Sequence, residues 1–126
     1  MTVSTACGRA GMSKSEGQRR SKKQEERLAE VTGGRTVGGS GSGWSHKGDV
    51  VTDDLHIEAK WTGKNSFSVS SVLWRKVENE AIPSGKTPVL AIRLEPSDLN
   101  LIVLDENDYL ALLEESQRRG GHDGSA

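Results

Sequence analysis

The segment Gly48 to Lys60, GDVVTDDLHIEAK, constrains the fold of this chain more than any other. Apolar and polar residues alternate on either side of Asp53-Asp54, so the segment reads as a β-hairpin. A two-residue turn there sets Thr52 opposite Leu55, Val51 opposite His56, Val50 opposite Ile57 and Asp49 opposite Glu58. Strand side chains alternate between faces. One face therefore carries Val50, Thr52, Leu55, Ile57 and Ala59, a core surface. The other carries Asp49, Val51, His56, Glu58 and Lys60. A four-residue loop keeps this pairing and a three-residue loop breaks it. Asp-Asp suits a tight primed turn less well than Asn-Gly or Asp-Gly.

The register brings two carboxylates face to face. Directly opposed residues have Cβ atoms about 4.5–5.5 Å apart, and like charges there are destabilising. A hard divalent cation would offset the repulsion, because Mg²⁺ is held by one or two carboxylates together with water and phosphate oxygens. Lys60 shares the face, two residues beyond Glu58, within reach of a phosphate. A metal that polarises a phosphodiester and activates water, with a cation beside it, is the chemistry these residues suit. A charged E-x-K face is also common on ordinary surface hairpins. The opposed Asp49 and the glycine-rich run just before it favour a site.

The rest of the chain supplies helices and further strands. Residues 1–21 are rich in Gly, Ser, Lys and Arg without apolar periodicity and read as a disordered basic tail. A helix is expected from Lys22 to Val31 or Thr32, stopped by Gly33-Gly34. Gly38 to Gly43, GGSGSG, reads as a flexible loop. A second helix fits Val69 to Ala81, with Ser68 as its N-cap and Pro83 after its end. TPVLAIRL (Thr87 to Leu94) and LNLIVL (Leu99 to Leu104) are apolar strands, at least one of them central and buried. A last helix spans about Glu106 to Ser116, and 117–126 reads as a disordered tail. The expected order is α-β-β-α-β-β-α, an α/β fold in which a small mixed sheet is flanked by helices.

Composition narrows the class. The 126 residues allow one modest core in one domain, 22–116. No apolar run is long enough to span a bilayer, and the start lacks the apolar region of a secretory signal. The single cysteine, Cys7, excludes an intrachain disulfide and argues against a cysteine zinc site. A soluble, cytoplasmic protein is expected. The net charge of −1 conceals a basic N-terminal segment, with Arg9, Lys14, Arg19, Arg20, Lys22 and Lys23, and an acidic C-terminal part. Such a tail suits a nucleic-acid backbone, or is simply solvated.

The spacing of Asp49, eight residues, then Glu58-Ala59-Lys60 resembles the PD-(D/E)XK nuclease motif. Within that superfamily the text EERLAEVTGGRTVGGSGSGWSHKGDVVTDDLHIEAK is most similar to archaeal Holliday junction resolvases and related phage-encoded proteins. The likeness covers about Lys23 to Leu113, and its specific part ends at Lys60. It implies a restriction-endonuclease-like core, with Asp49 and Glu58 ligating Mg²⁺ (Mn²⁺ as substitute), helped by the Ala59 carbonyl. It implies that Lys60 positions or activates the attacking water. It also implies a helix glutamate, for which Glu25 fits better than Glu26, and a loop serine near the scissile backbone, Ser40 or Ser42. Gly48 stands where the superfamily has its proline. The implied partners are branched DNA, in particular a four-way junction, and a second copy of the chain.

Other signals carry less. Ser84-Gly85-Lys86-Thr87 ends like a P-loop, but Glu80 stands where the first glycine belongs and no strand precedes it. His46, His56 and His122 lack metal-ligand spacing, although His56 shares the face of Asp49 and Glu58. Trp44 and Trp61 flank the hairpin and would stack on bases, or bury at a core edge or interface. His46, Lys47, Lys64, Arg75 and Lys76 are candidate phosphate contacts. The expected function is metal-dependent DNA endonuclease. The alternatives are a same-fold nicking, repair or restriction-type nuclease and a non-catalytic nucleic-acid-binding protein.

Overall fold

The computed structural model describes residues 14–37 and 49–124. Helix α1 (Lys14–Thr32) is followed by strands β1 (Arg35–Val37), β2 (Asp49–Val51) and β3 (Leu55–Thr62). Helix α2 (Ser71–Ala81) and a 3₁₀ turn (Ile82–Ser84) lead to β4 (Thr87–Leu94), β5 (Leu99–Val103) and helix α3 (Glu106–Gly124). The strands form one mixed sheet in the order β1-β2-β3-β4-β5. Only β3 and β4 are parallel. A parallel pair needs a long crossover, and α2 provides it.

The chain is thus α/β, with helices on both faces of a small mixed sheet. On one face Leu28 of α1 packs on Val50, Ile57, Ala59, Val89 and Ala91. On the other, Val77 of α2 packs with Leu90, Ile92 and Leu94, edged by Phe67, Leu73 and Trp74. β4 feeds both clusters, which explains its unbroken apolar text: a central strand is buried on both sides. β5 is the exposed edge.

Three boundaries differ from the sequence expectation. α1 begins at Lys14, not Lys22, so residues 14–21 are helical rather than a disordered tail. The cause is tertiary. Arg20 pairs with Glu16 and with Glu95 at the end of β4, and its guanidinium lies 5.8 Å from the Trp61 ring centroid. α2 starts at Ser71 and its cap is Ser70, not Ser68; the Ser70 hydroxyl accepts from the Leu73 N–H at 3.1 Å. α3 continues to Gly124, past the expected stop at Ser116, with an Arg119–Glu115 pair one turn apart.

β1 was not expected at all. Gly33 ends α1 with φ of +73°, and a Cβ on Gly34 would meet the Val51 carbonyl oxygen at 2.5 Å. Only glycine lets the chain leave the helix and come so close to β2. The rest of the basic tail, the GGSGSG loop, and Trp44, His46 and Lys47 lie outside the described residues. Among the described residues, no helix is long and apolar enough to cross a membrane.

Candidate active site

The β2–β3 hairpin has the expected register, with Asp49 opposite Glu58, Val50 opposite Ile57 and Val51 opposite His56. The turn achieves it without a primed geometry, since neither Asp53 nor Asp54 has a positive φ. Thr52 holds the turn instead. Its hydroxyl accepts from the N–H groups of Asp54 (3.1 Å) and Leu55 (2.9 Å). The Lys86 ammonium then donates to the carbonyls of Thr52 (2.7 Å) and Asp53 (3.0 Å). The lysine of the false P-loop thus braces the hairpin from outside it.

The Thr52 N–H donates to the Leu55 carbonyl at 2.9 Å, so Thr52 and Leu55 form a hydrogen-bonded pair. Pair types alternate along an antiparallel ladder, which makes Asp49 and Glu58 a non-hydrogen-bonded pair, the kind whose side chains stand closer. Both residues are buried, at 6% and 3% exposure. The methyl group of the next residue, Ala59, joins the α1-side core.

The electrostatics follow from this geometry. Burial pushes the Glu58 carboxyl above its ordinary range, and hydrogen bonding and repulsion from Asp49 push it further the same way. The Lys60 ammonium, 3.2 Å from Glu58 Oε2, pulls against them without reversing the direction. With both carboxyls ionised, Asp49 Oδ1 and Glu58 Oε1 are buried and have no hydrogen-bond donor among the described residues. Buried carboxylate oxygens in that state cost stability unless something satisfies them. Hard oxygen donors on opposed strands fit a small divalent cation.

Comparison of the chain with protein-family models, with curated proteins and with solved structures gives no match. The reading of the site therefore rests on its own residues.

Two further side chains crowd the same face. His56 Nε2 lies 2.9 Å from Asp49 Oδ2 and 3.9 Å from Oε1 of Glu80, which reaches down from α2. Sequence reasoning missed Glu80, although a signal existed. It stands three residues after Val77 and seven after Leu73, on the stripe that α2 turns to the sheet.

Of the expected site residues, Asp49, Glu58 and Lys60 come together. Glu25 is buried on α1, the helix that covers the opposite face from Asp49 and Glu58. Its neighbour Gln24, also buried, donates to the Lys60 carbonyl at 3.2 Å. Ser40 and Ser42 lie outside the described residues. Trp61 is half-buried, its indole N–H donating to Glu95 at 2.8 Å, and Trp74 sits at the core edge, donating to Glu78 at 3.1 Å. Lys64, Arg75 and Lys76 are exposed. Beside the far end of β3 an open groove of about 770 Å³ is lined by Arg19, Arg20, Lys23, Arg27 and Trp61, with Glu95 and Asp98 at its wall.

Proposed function

We propose that this protein is a metal-dependent endonuclease that hydrolyses DNA phosphodiester bonds, with branched DNA, above all a four-way junction, as its substrate. The observation that carries the reading is the buried, opposed pair Asp49 and Glu58 with Lys60 beside it. A fold that destabilises itself by facing two carboxylates in its interior gains from a cation there, and a lysine on the same face gains from an anion.

Asp49, Glu58 and the Ala59 carbonyl would hold Mg²⁺, or Mn²⁺ in its place. A divalent ion at such a centre supplies polarisation of the phosphodiester and activation of the attacking water. The protein's own part is placement. Val51 and Leu90 flank the carboxylates on the same face and are buried, so charges interact more strongly there than in water. Lys60 is partly exposed and swings from Glu58 to a phosphate oxygen, where it neutralises developing charge. The basic stretch of α1 offers Arg19, Lys23 and Arg27 to the DNA backbone, contacts that position the duplex without reading its sequence.

Cutting two strands symmetrically calls for paired sites, and a homodimer supplies them. Exposed apolar side chains on the β5 edge (Leu99, Leu101, Ile102) and on α3 (Tyr109, Leu110, Leu112) support such pairing.

The test is Mg²⁺-dependent cleavage of a labelled four-way junction beside a linear duplex of the same arms, with wild type and Asp49→Ala. Paired nicks in the junction alone, lost in the variant, are expected. Equal cutting of both substrates would move the substrate to ordinary duplex DNA. Binding without cleavage in Mg²⁺ or Mn²⁺ would replace the nuclease by a nucleic-acid-binding protein.

A further inference from the structure

His56 and Glu80 take no part in the centre proposed above, yet both are aimed at Asp49. One ligand atom from each of Asp49, His56 and Glu80 lies within 4.8 Å of the other two. The Asp–His separation is 2.9 Å and the His–Glu separation 3.9 Å. Around an ion with bonds of about 2.1 Å, neighbouring ligands stand about 3.0 Å apart and opposite ones about 4.2 Å. The His56–Glu80 separation falls within that range, the Asp49–His56 separation is just short of it, and the third separation is no more than 4.8 Å. The three residues also come from three elements held by different contacts: β2 and β3 through the hairpin register, α2 through Val77 on the sheet.

A second observation points to a ligand. Asp49 is 6% exposed, and its other oxygen, Oδ1, has no hydrogen-bond donor among the described residues. Glu58 Oε1 is in the same condition across the hairpin. Asp49 Oδ2 is the oxygen that meets His56, which leaves Oδ1 for a second ligand, the donor pattern a bridging carboxylate needs in a two-metal site.

We infer that Asp49, His56 and Glu80 form a second metal position, adjoining the Asp49–Glu58 pair, that takes a nitrogen-tolerant first-row ion rather than Mg²⁺. The selectivity follows from His56. Mg²⁺ dehydrates reluctantly and is bound through oxygen, whereas an imidazole nitrogen favours ions later in the first row. The position shares Asp49 with the proposed nuclease centre but does not depend on it, because binding is measured without DNA.

The experiment titrates the full-length, untagged protein with Co²⁺ and separately with Mg²⁺, following heat and, for Co²⁺, visible absorption. Wild type is expected to bind Co²⁺ at two positions and Mg²⁺ at one. His56→Ala should lose one Co²⁺ equivalent, or weaken it at least about tenfold, with Mg²⁺ binding unchanged. Glu80→Gln, which keeps the shape of a partly exposed helix residue, should weaken the same equivalent, and thermal melts check that both variants fold. Co²⁺ binding that is identical in wild type, His56→Ala and Glu80→Gln would overturn the inference and leave His56 as a hydrogen-bond donor to Asp49. Absence of DNA cleavage would sink the nuclease reading while leaving this result standing.

Discussion

Glu58, in the middle of β3, and Glu95, just past the end of β4, are carboxylates of one sheet whose surroundings are opposite. Glu95 follows β4 and collects donors: the Trp61 indole N–H at 2.8 Å, Arg93 at 3.3 Å and Arg20 at 3.3 Å. Its carboxyl is held below the ordinary range, first by the Trp61 hydrogen bond and then by the arginines. Arg93 is in turn held protonated by Asp98, 2.9 Å away. Glu58, by contrast, is buried against another carboxylate, with Lys60 beside it and His56 beside its partner Asp49. The first arrangement is complete as it stands and ties α1 to β3 and β4. The second is incomplete, and under the proposed function a metal ion completes it.

The largest effect that would break this contrast concerns chemistry. Asp49→Ala should reduce Mg²⁺-dependent cleavage by about a thousandfold or more, since a metal centre accounts for several kcal/mol of the barrier. Glu95→Gln should leave the cleavage rate within about threefold. Comparable losses in single-turnover assays of the two variants would show that the two carboxylates are not different in kind.

Stability should move the other way. In metal-free buffer Glu58→Gln removes one side of a like-charge pair and should raise stability by on the order of 1 kcal/mol, a few degrees in Tm. Glu95→Gln should lower it by a smaller amount, because ion pairs at the surface contribute little. Calorimetric melts of the two variants decide this. A fall in Tm for Glu58→Gln would mean that Lys60 already compensates the pair.

The pH dependence sharpens the same comparison. Glu58 binds its proton more tightly folded than unfolded. The stability this contributes is full below its ordinary value of 4.5 and is lost as pH rises through the raised one. Glu95 has the opposite sign: its contribution is full above 4.5 and is lost as pH falls through the lowered value. The Tm advantage of Glu58→Gln over wild type should therefore grow with rising pH, and the deficit of Glu95→Gln should shrink with falling pH. Parallel pH–Tm curves for all three proteins would contradict both assignments.

The smallest effect belongs to Arg20→Ala. It removes the contacts to Glu16, Glu95 and the Trp61 ring at once, yet the side chain is partly exposed, so the expected loss is about 0.5–1 kcal/mol. Its signature is local. Amide exchange should accelerate over the start of α1 while the hairpin stays protected, and uniform acceleration would show that α1 is anchored elsewhere.

Much of the site was legible before any coordinates. The alternation of Val50, Leu55, Ile57 and Ala59 puts Asp49 and Glu58 on one face, and a tight turn at Asp53-Asp54 sets them opposite each other. The unbroken apolar text of β4 likewise announced a strand covered on both sides. Glu80 is hard to read from sequence because it is an acidic residue set on the otherwise apolar stripe of α2. Gln24 left no trace in the sequence at all, since a buried amide is recognisable only by what it touches. The start of α1 was misjudged for a related reason. Its basic text has no apolar period of its own, and it is helical because Glu95 and Trp61, distant in sequence, stand where Arg20 can meet them.

The sequence by itself determined which residues face the core in each strand, because a strand has a period of two and one face must leave water, and the tight turn at Asp53-Asp54 then paired the two carboxylates. Only the tertiary structure decided what covers that pair and what is left unsatisfied there. The crossover of α2 brings Glu80 to His56, and the packing of α1 brings Gln24 to Lys60. Those placements depend on where whole elements dock, which local periodicity does not encode.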